Sequence, residues 1–169
     1  MNKFEIYQTG NSFHSNKREA IDLASLSYIG EIKSGKVVYA ICEVLYLLEK
    51  GKAKLMKNNK EVSFHELLKK HKSLSTIYEV FRDLRDKGNI LKEGLKFGAD
   101  FRVYSKGDKP GKAHAKYLLY VVSGSKKLSL KDFCAKARIA HSTNKILLMA
   151  VVDSENDISY YNISWKSQN

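Results

Sequence analysis

The chain has 169 residues, enough for one ordinary domain or two small ones, and 43% of them are hydrophobic, which supports a packed core and argues against disorder. Lysine and arginine number 30 against 18 acidic residues, a formal charge of +12. That excess favours a polyanionic partner, nucleic acid foremost, over the plainer use of lysines as a solvated surface. Cys42 and Cys134 lie far apart without CxxC spacing, so zinc ligation and a disulfide framework are not expected, and both cysteines read as small buried side chains. No window approaches about 18 uninterrupted apolar residues, and "MNKFEIYQTG" lacks the apolar segment of a secretory leader. The expectation is a cytoplasmic protein with no membrane partner.

The first thirty residues mix short strand-like pieces, such as "KFEIY", with polar turns. From Lys36, "KVVYAICEVLYLLEKGKAKL" places Val38, Ile41, Val44, Leu45 and Leu48 at helical spacing, with Gly51 as the stop. "KAKLM" follows as a strand and Asn58–Asn59 as a turn. Ser63 with Glu66 three residues on forms a capping box, opening the helix "SFHELLKKH". Leu74, Ile77, Tyr78, Phe81 and Leu84 then make an amphipathic stripe that ends near Gly88. A boundary is expected near Lys72, dividing a 1–72 α/β domain from a 73–169 domain.

After Gly88 the apolar period becomes two. "NILKEG", "DFRVYS", "KYLLYVV", "KILLMAVVD" and "ISYYNIS" read as strands, interrupted by the helix "SLKDFCAKARIAH". Ser129 is its expected cap, Leu130, Phe133, Cys134 and Ala137 its buried stripe, and Arg138 lies on the flank. The fold class is α+β, with a small mixed N-terminal domain and a C-terminal domain built on a mixed sheet flanked by helices.

The segment "FRVYSKGDKPGKAHAKYLLYVV" carries the chain's only proline inside a basic, glycine-containing loop. Tyr104 is expected to end the strand before this loop and His114 to begin the strand after it. Lys145 is expected to open a third strand, directly after the helix. If the strands pair, a phenol, an imidazole and an ammonium face one cleft. Those groups suit RNA cleavage by its own 2′-hydroxyl: a base takes the 2′-OH proton, an acid protonates the departing 5′-oxygen, and a cation stabilises the charge building on phosphorus. The nucleophile is already tethered to the phosphate, so the reaction needs no metal or other cofactor. A free imidazole near pH ~6.5 suits the acid, whereas a free phenol near ~10 needs neighbouring positive charge to act as base. Taken singly, each residue has an ordinary structural use: a core-rim tyrosine, a solvent-facing histidine, a solvated lysine.

"LKFGADFRVY", then "HAKYLLYVV", then "RIAHSTNKILLMAVVDSENDISYYNI" strongly resemble the archaeal tRNA-intron (splicing) endonuclease family, whose hallmark reads "LKYGxDFRxY". The resemblance is strong over about residues 79–169 and recognisable in "VVYAICEVLYLLEKG" and "SFHELL". It implies that Tyr104, His114 and Lys145 are the catalytic residues. It further implies metal-independent cleavage of precursor tRNA at bulge–helix–bulge junctions, leaving 2′,3′-cyclic phosphate and 5′-hydroxyl ends. Arg138 matches a family arginine that stacks on a bulge base, a use that guanidinium planes favour. Asp153, Glu155 and Asp157 in "DSENDIS" fall where the family has an acidic assembly loop that docks in a basic groove of another subunit. The implied state is a homotetramer or a heterotetramer with a paralogous structural subunit. Pairing of "ISYYNISW" between subunits would cover an edge otherwise exposed.

Two departures stand out: Asn144 where a basic residue is common, and Ala115 where serine is common. A second base-stacking arginine has no counterpart. The runner-up reading is a non-catalytic RNA-binding or structural partner of such a complex. A metal-dependent nuclease would use Glu93 and Asp100, but no suitably spaced "ExK" follows them.

Overall fold

The computed structural model describes residues 3–165 and divides into two compact units, Met1–Tyr78 and Glu79–Asn169. No helix among the described residues is long and apolar enough to cross a membrane.

The first unit holds a six-stranded sheet. Its strands are β1 (Phe4–Thr9), β2 (Ser12–Ser15), β3 (Glu31–Lys33), β4 (Lys36–Tyr39), β5 (Ala53–Lys57) and β6 (Lys60–Val62), in the order β3-β4-β2-β1-β5-β6. Only the β1–β5 pair is parallel. The helices are α1 (Arg18–Ser27), α2 (Ile41–Glu49) and α3 (Phe64–Lys70). Ile6, Val37, Leu45, Leu47 and Leu55 are fully buried between sheet and helices. Asn58 and Asn59 both take positive φ and close the β5–β6 hairpin, as a two-residue primed turn requires. The Ser63–Glu66 capping box forms in both directions, with Glu66 N–H donating to Ser63 Oγ and Ser63 N–H to the Glu66 carboxylate.

Two expectations fail in this unit. Val38 does not belong to a helix: Lys36–Tyr39 pairs with β2 on one side and β3 on the other, and α2 begins only at Ile41. The β-branched pair Val37–Val38 suits the strand, and Glu43 accepting from Ala40 N–H sets the later helix start. The helix α1 was not expected at all.

The second unit holds a five-stranded sheet of β7 (Ile90–Glu93), β8 (Phe101–Tyr104), β9 (Tyr117–Ser123), β10 (Ile146–Val152) and β11 (Ile158–Ile163), in the order β11-β10-β9-β8-β7. β9 and β10 run parallel and the remaining pairs antiparallel, so the sheet is mixed. A parallel pair needs a crossover, and α5 (Leu130–Ser142) supplies it. Phe133, Ala137 and Ala140 of α5 pack on Leu118, Tyr120, Leu147, Met149 and Ile163. On the opposite face, Phe81 of the helix α4 (Ser75–Asp86) lies 5.4 Å from Phe101, and Asp83 accepts a 2.7 Å hydrogen bond from Tyr160. The boundary between the units falls inside α4.

Candidate active site

Tyr104 is the last residue of β8 and is only 5% exposed. It pairs with Ile90, and its carbonyl accepts from the Asn89 side chain at 3.3 Å, so its backbone is held from β7.

The loop that follows, residues 105–116, is built from turns. Asp108 N–H donates to Ser105 O, Lys112 and Ala113 N–H both donate to Lys109 O, and Pro110 bridges to Ala113. Gly107 and Gly111 both adopt φ near +90°, a conformation these turns demand and other residues resist. His114 leaves this loop exposed to solvent. It does not begin a strand: β9 opens at Tyr117, three residues later. The bridge keeps the chain out of the ladder until Lys116 N–H reaches Val103 O at 3.0 Å. Among the described residues no hydrogen bond or ion pair fixes the imidazole.

Lys145 sits one residue ahead of β10 and is half-buried. Its backbone position comes from the end of α5. Asn144 takes the left-handed conformation (φ +53°), its N–H bonds His141 O at 3.0 Å, and Lys145 N–H bonds Ala140 O at 2.8 Å. This pair of bonds is a Schellman cap, in which the left-handed site tolerates glycine or asparagine. The departure at Asn144 is therefore a structural residue that aims the one after it. The ammonium of Lys145 donates to Thr143 O at 2.8 Å and lies 5.4 Å from the centre of the Phe97 ring.

The sheet register relates the three residues. Val103 pairs with Tyr117, and Tyr117 with Ile146. One residue further, Tyr104, Lys116 and Lys145 share a row across three adjacent strands, at one end of the sheet. Adjacent strands lie about 4.8 Å apart, so the Tyr104 and Lys145 backbones stand roughly 10 Å from one another. His114 lies two residues before Lys116, on the segment entering the strand between them.

Arg138 is exposed on α5 with no ion pair among the described residues. Cys42 is buried, but Cys134 is exposed, and Leu130 is 82% exposed. The buried stripe of α5 is Phe133, Ala137 and Ala140, so the helix is rotated away from the expected Leu130–Cys134 edge. Asp153, Glu155 and Asp157 are exposed at the opposite end of β10 from Lys145, roughly 25 Å along the strand. Asp153 Oδ1 accepts from the N–H groups of both Glu155 and Asp157, which presents the other two carboxylates outward.

A cleft of about 310 Å³ opens elsewhere on this unit, lined by Tyr120, Lys126, Lys127 and Lys136 among others. None of Tyr104, His114 and Lys145 lines it. Beside it, burial pushes the Asp100 carboxyl up, against the opposing pull of the Val121 N–H and of Lys136 and Lys126. Asp100 is thus engaged with the backbone of β9, while Glu93 ends β7 opposite Phe101. Among the described residues no group of three histidine, cysteine or carboxylate side chains is placed to hold a metal ion.

Residues 74–160 match the family model described as tRNA intron endonuclease, catalytic C-terminal domain. The chain is 40% identical to a protein named tRNA-splicing endonuclease in Thermococcus onnurineus and 38% identical to one so named in Pyrococcus furiosus, with 95% of both chains covered in each case. It is 42% identical to another of that name in Methanothermobacter thermautotrophicus, over 82% of this chain and 83% of that one. Matches of this extent agree with what the motifs implied: the chain belongs to the tRNA intron endonuclease family.

Proposed function

We propose that the protein is an endoribonuclease that cuts precursor tRNA at bulge–helix–bulge intron junctions. The observation that carries this reading is the row at one end of the second sheet, where Tyr104 and Lys145 flank the strand that His114 leads into. In the proposed reaction Tyr104 takes the proton of the 2′-hydroxyl next to the scissile phosphate. The freed oxygen attacks phosphorus, the P–O5′ bond breaks, and His114 delivers its proton to the departing 5′-oxygen. Lys145 stabilises the negative charge on the non-bridging oxygens. The products are a 2′,3′-cyclic phosphate and a 5′-hydroxyl, and proton transfer by positioned side chains supplies the acceleration.

The +12 charge supports a polyanionic substrate, and the exposed, unpaired Arg138 is available to stack on an unpaired base. The loop Asp153–Asp157 lies too far along β10 to serve its own chain's chemistry. Its outward carboxylates instead suit docking against a basic surface of another subunit, a second copy or a paralogue, and the edge strand β11 offers a further pairing surface.

The test incubates the purified chain with a bulge–helix–bulge RNA in EDTA and analyses the ends. Cyclic-phosphate and 5′-hydroxyl products, lost when the scissile nucleotide is 2′-deoxy, are expected. Cleavage that survives the 2′-deoxy substitution or that requires a divalent ion overturns the mechanism. RNA binding without any cleavage assigns the chain to the non-catalytic partner role.

A further inference from the structure

Trp165 is the chain's single tryptophan, and it is 48% exposed. Its ring stacks on His141, the two centres 5.7 Å apart and the planes inclined by 27°. A large ring held flat by one aromatic neighbour, with much of its area left to water, is unusual for a residue whose burial would itself be stabilising. Its place in the sheet is specific. Leu147 pairs with Ile163, and two residues further the same register sets Lys145 across from Trp165. The row Tyr104–Lys116–Lys145 therefore continues to Trp165. Leu118, Leu147 and Ile163 lie two residues along from that row and face α5, so Trp165 and His141 meet on the face from which Lys145 is reached. Arg138 lies three residues before His141 on the same helix, which sets the two on neighbouring positions of one face.

We propose that the Trp165–His141 stack is a platform for one unpaired nucleobase of the RNA, next to Lys145 and within the field of Arg138. The inference rests on the nuclease reading and adds two residues to its substrate site. An unpaired base offers a free π-face to an indole, whereas a base inside a helix has its faces covered by its neighbours. The platform thus selects bulged over paired RNA without reading sequence. An apolar protein segment is the poorer occupant, because the surrounding charges are a lysine and an arginine.

The lone tryptophan makes the test direct. Its fluorescence is followed as a bulge–helix–bulge RNA with 2′-deoxy scissile nucleotides is added, with a fully paired duplex of equal length as control. Quenching by the bulged RNA and not by the duplex is expected. In cleavage assays Trp165→Ala should raise KM roughly 5- to 100-fold with kcat little changed, and Trp165→Phe should restore most of the loss. Equal fluorescence responses to the two RNAs, or wild-type KM in Trp165→Ala, overturns the platform while the nuclease reading stands. A wild-type chain that neither binds nor cuts the bulged RNA removes the nuclease reading and the platform with it.

Discussion

The two units use their polar side chains in opposite ways. In the first, polar groups close the fold on itself. The buried Glu43 carboxylate takes the N–H groups of Gly30 and Ala40, each at 2.9 Å, Ser15 donates to Glu5 O at 2.6 Å, and Ser63 and Glu66 cap each other. In the second, several chemically capable side chains stand at one end of the sheet, where the backbone is fixed tightly and the functional groups face outward. His114 and Arg138 are exposed, and Lys145 is delivered by a helix cap rather than by its own packing. The lesson is a division of labour within one chain. Groups consumed by backbone donors specify structure, and groups whose backbone alone is held remain available to a substrate.

The sharpest way to break this comparison is to exchange the readouts. His114→Ala and Lys145→Ala should each lower the cleavage rate by about 10²–10⁴-fold, and neither should move the melting temperature by more than a degree or two. Glu43→Ala should do the reverse. It leaves two N–H groups without their carboxylate, at a cost of about 2–3 kcal/mol, which is on the order of 10 °C for a unit of this size, with the rate per folded molecule unchanged. Calorimetry and single-turnover cleavage on the same samples decide the matter. A His114→Ala protein that melts as early as Glu43→Ala would erase the distinction.

Asn144 stands between the two classes. Its left-handed backbone closes α5 and orients Lys145. Asn144→Ala should cost about 1 kcal/mol of stability, since only glycine and asparagine enter this region cheaply. It should also lower cleavage roughly tenfold or more through misplacement of the ammonium. Asn144→Gly should recover both, and recovery of stability without rate would separate the cap from the aim of Lys145.

Much of this arrangement was legible in local sequence, and the reasons for the rest are physical. β9 and β10 announce themselves as apolar runs because both of their faces are covered, and the Asn58–Asn59 turn and the Ser63–Glu66 box are signals contained within a few residues. The helix α1 gave no such signal: its N-cap is Lys17, which makes no capping bond, and only Ala20 and Ala24 are buried. Lys36–Tyr39 looked helical because it leads into α2, and only pairing with two remote strands makes it β. His114 was placed on a strand because the turns of residues 105–113 are set by backbone bonds that the residue types do not reveal. Trp165 went unremarked because its neighbours are given by the register of β10 with β11 and by a stack on a helix more than twenty residues earlier.

The smallest effect compares one carboxylate from each unit, and the two should respond to pH with opposite sign. Glu66 is held below its ordinary value of 4.5 by the Ser63 N–H, with the Ser63 hydroxyl adding to the effect. The folded chain then binds fewer protons than the unfolded chain, so this contribution is complete above 4.5 and is lost as pH falls through the depressed folded value. Asp100 is raised above its ordinary 3.8 by burial. The folded chain here binds more protons, so stability declines as pH rises from 3.8 through the raised value, and the penalty persists to neutrality. Glu66→Gln should therefore match the wild type in strong acid and fall behind it as pH increases. Asp100→Asn, which keeps an acceptor for Val121 N–H, should gain on the wild type over the same rise. Urea titrations between about pH 3 and 7 give both difference curves, and curves that bend the same way would mean that Asp100 is held as a backbone-capping carboxylate of the first unit's kind.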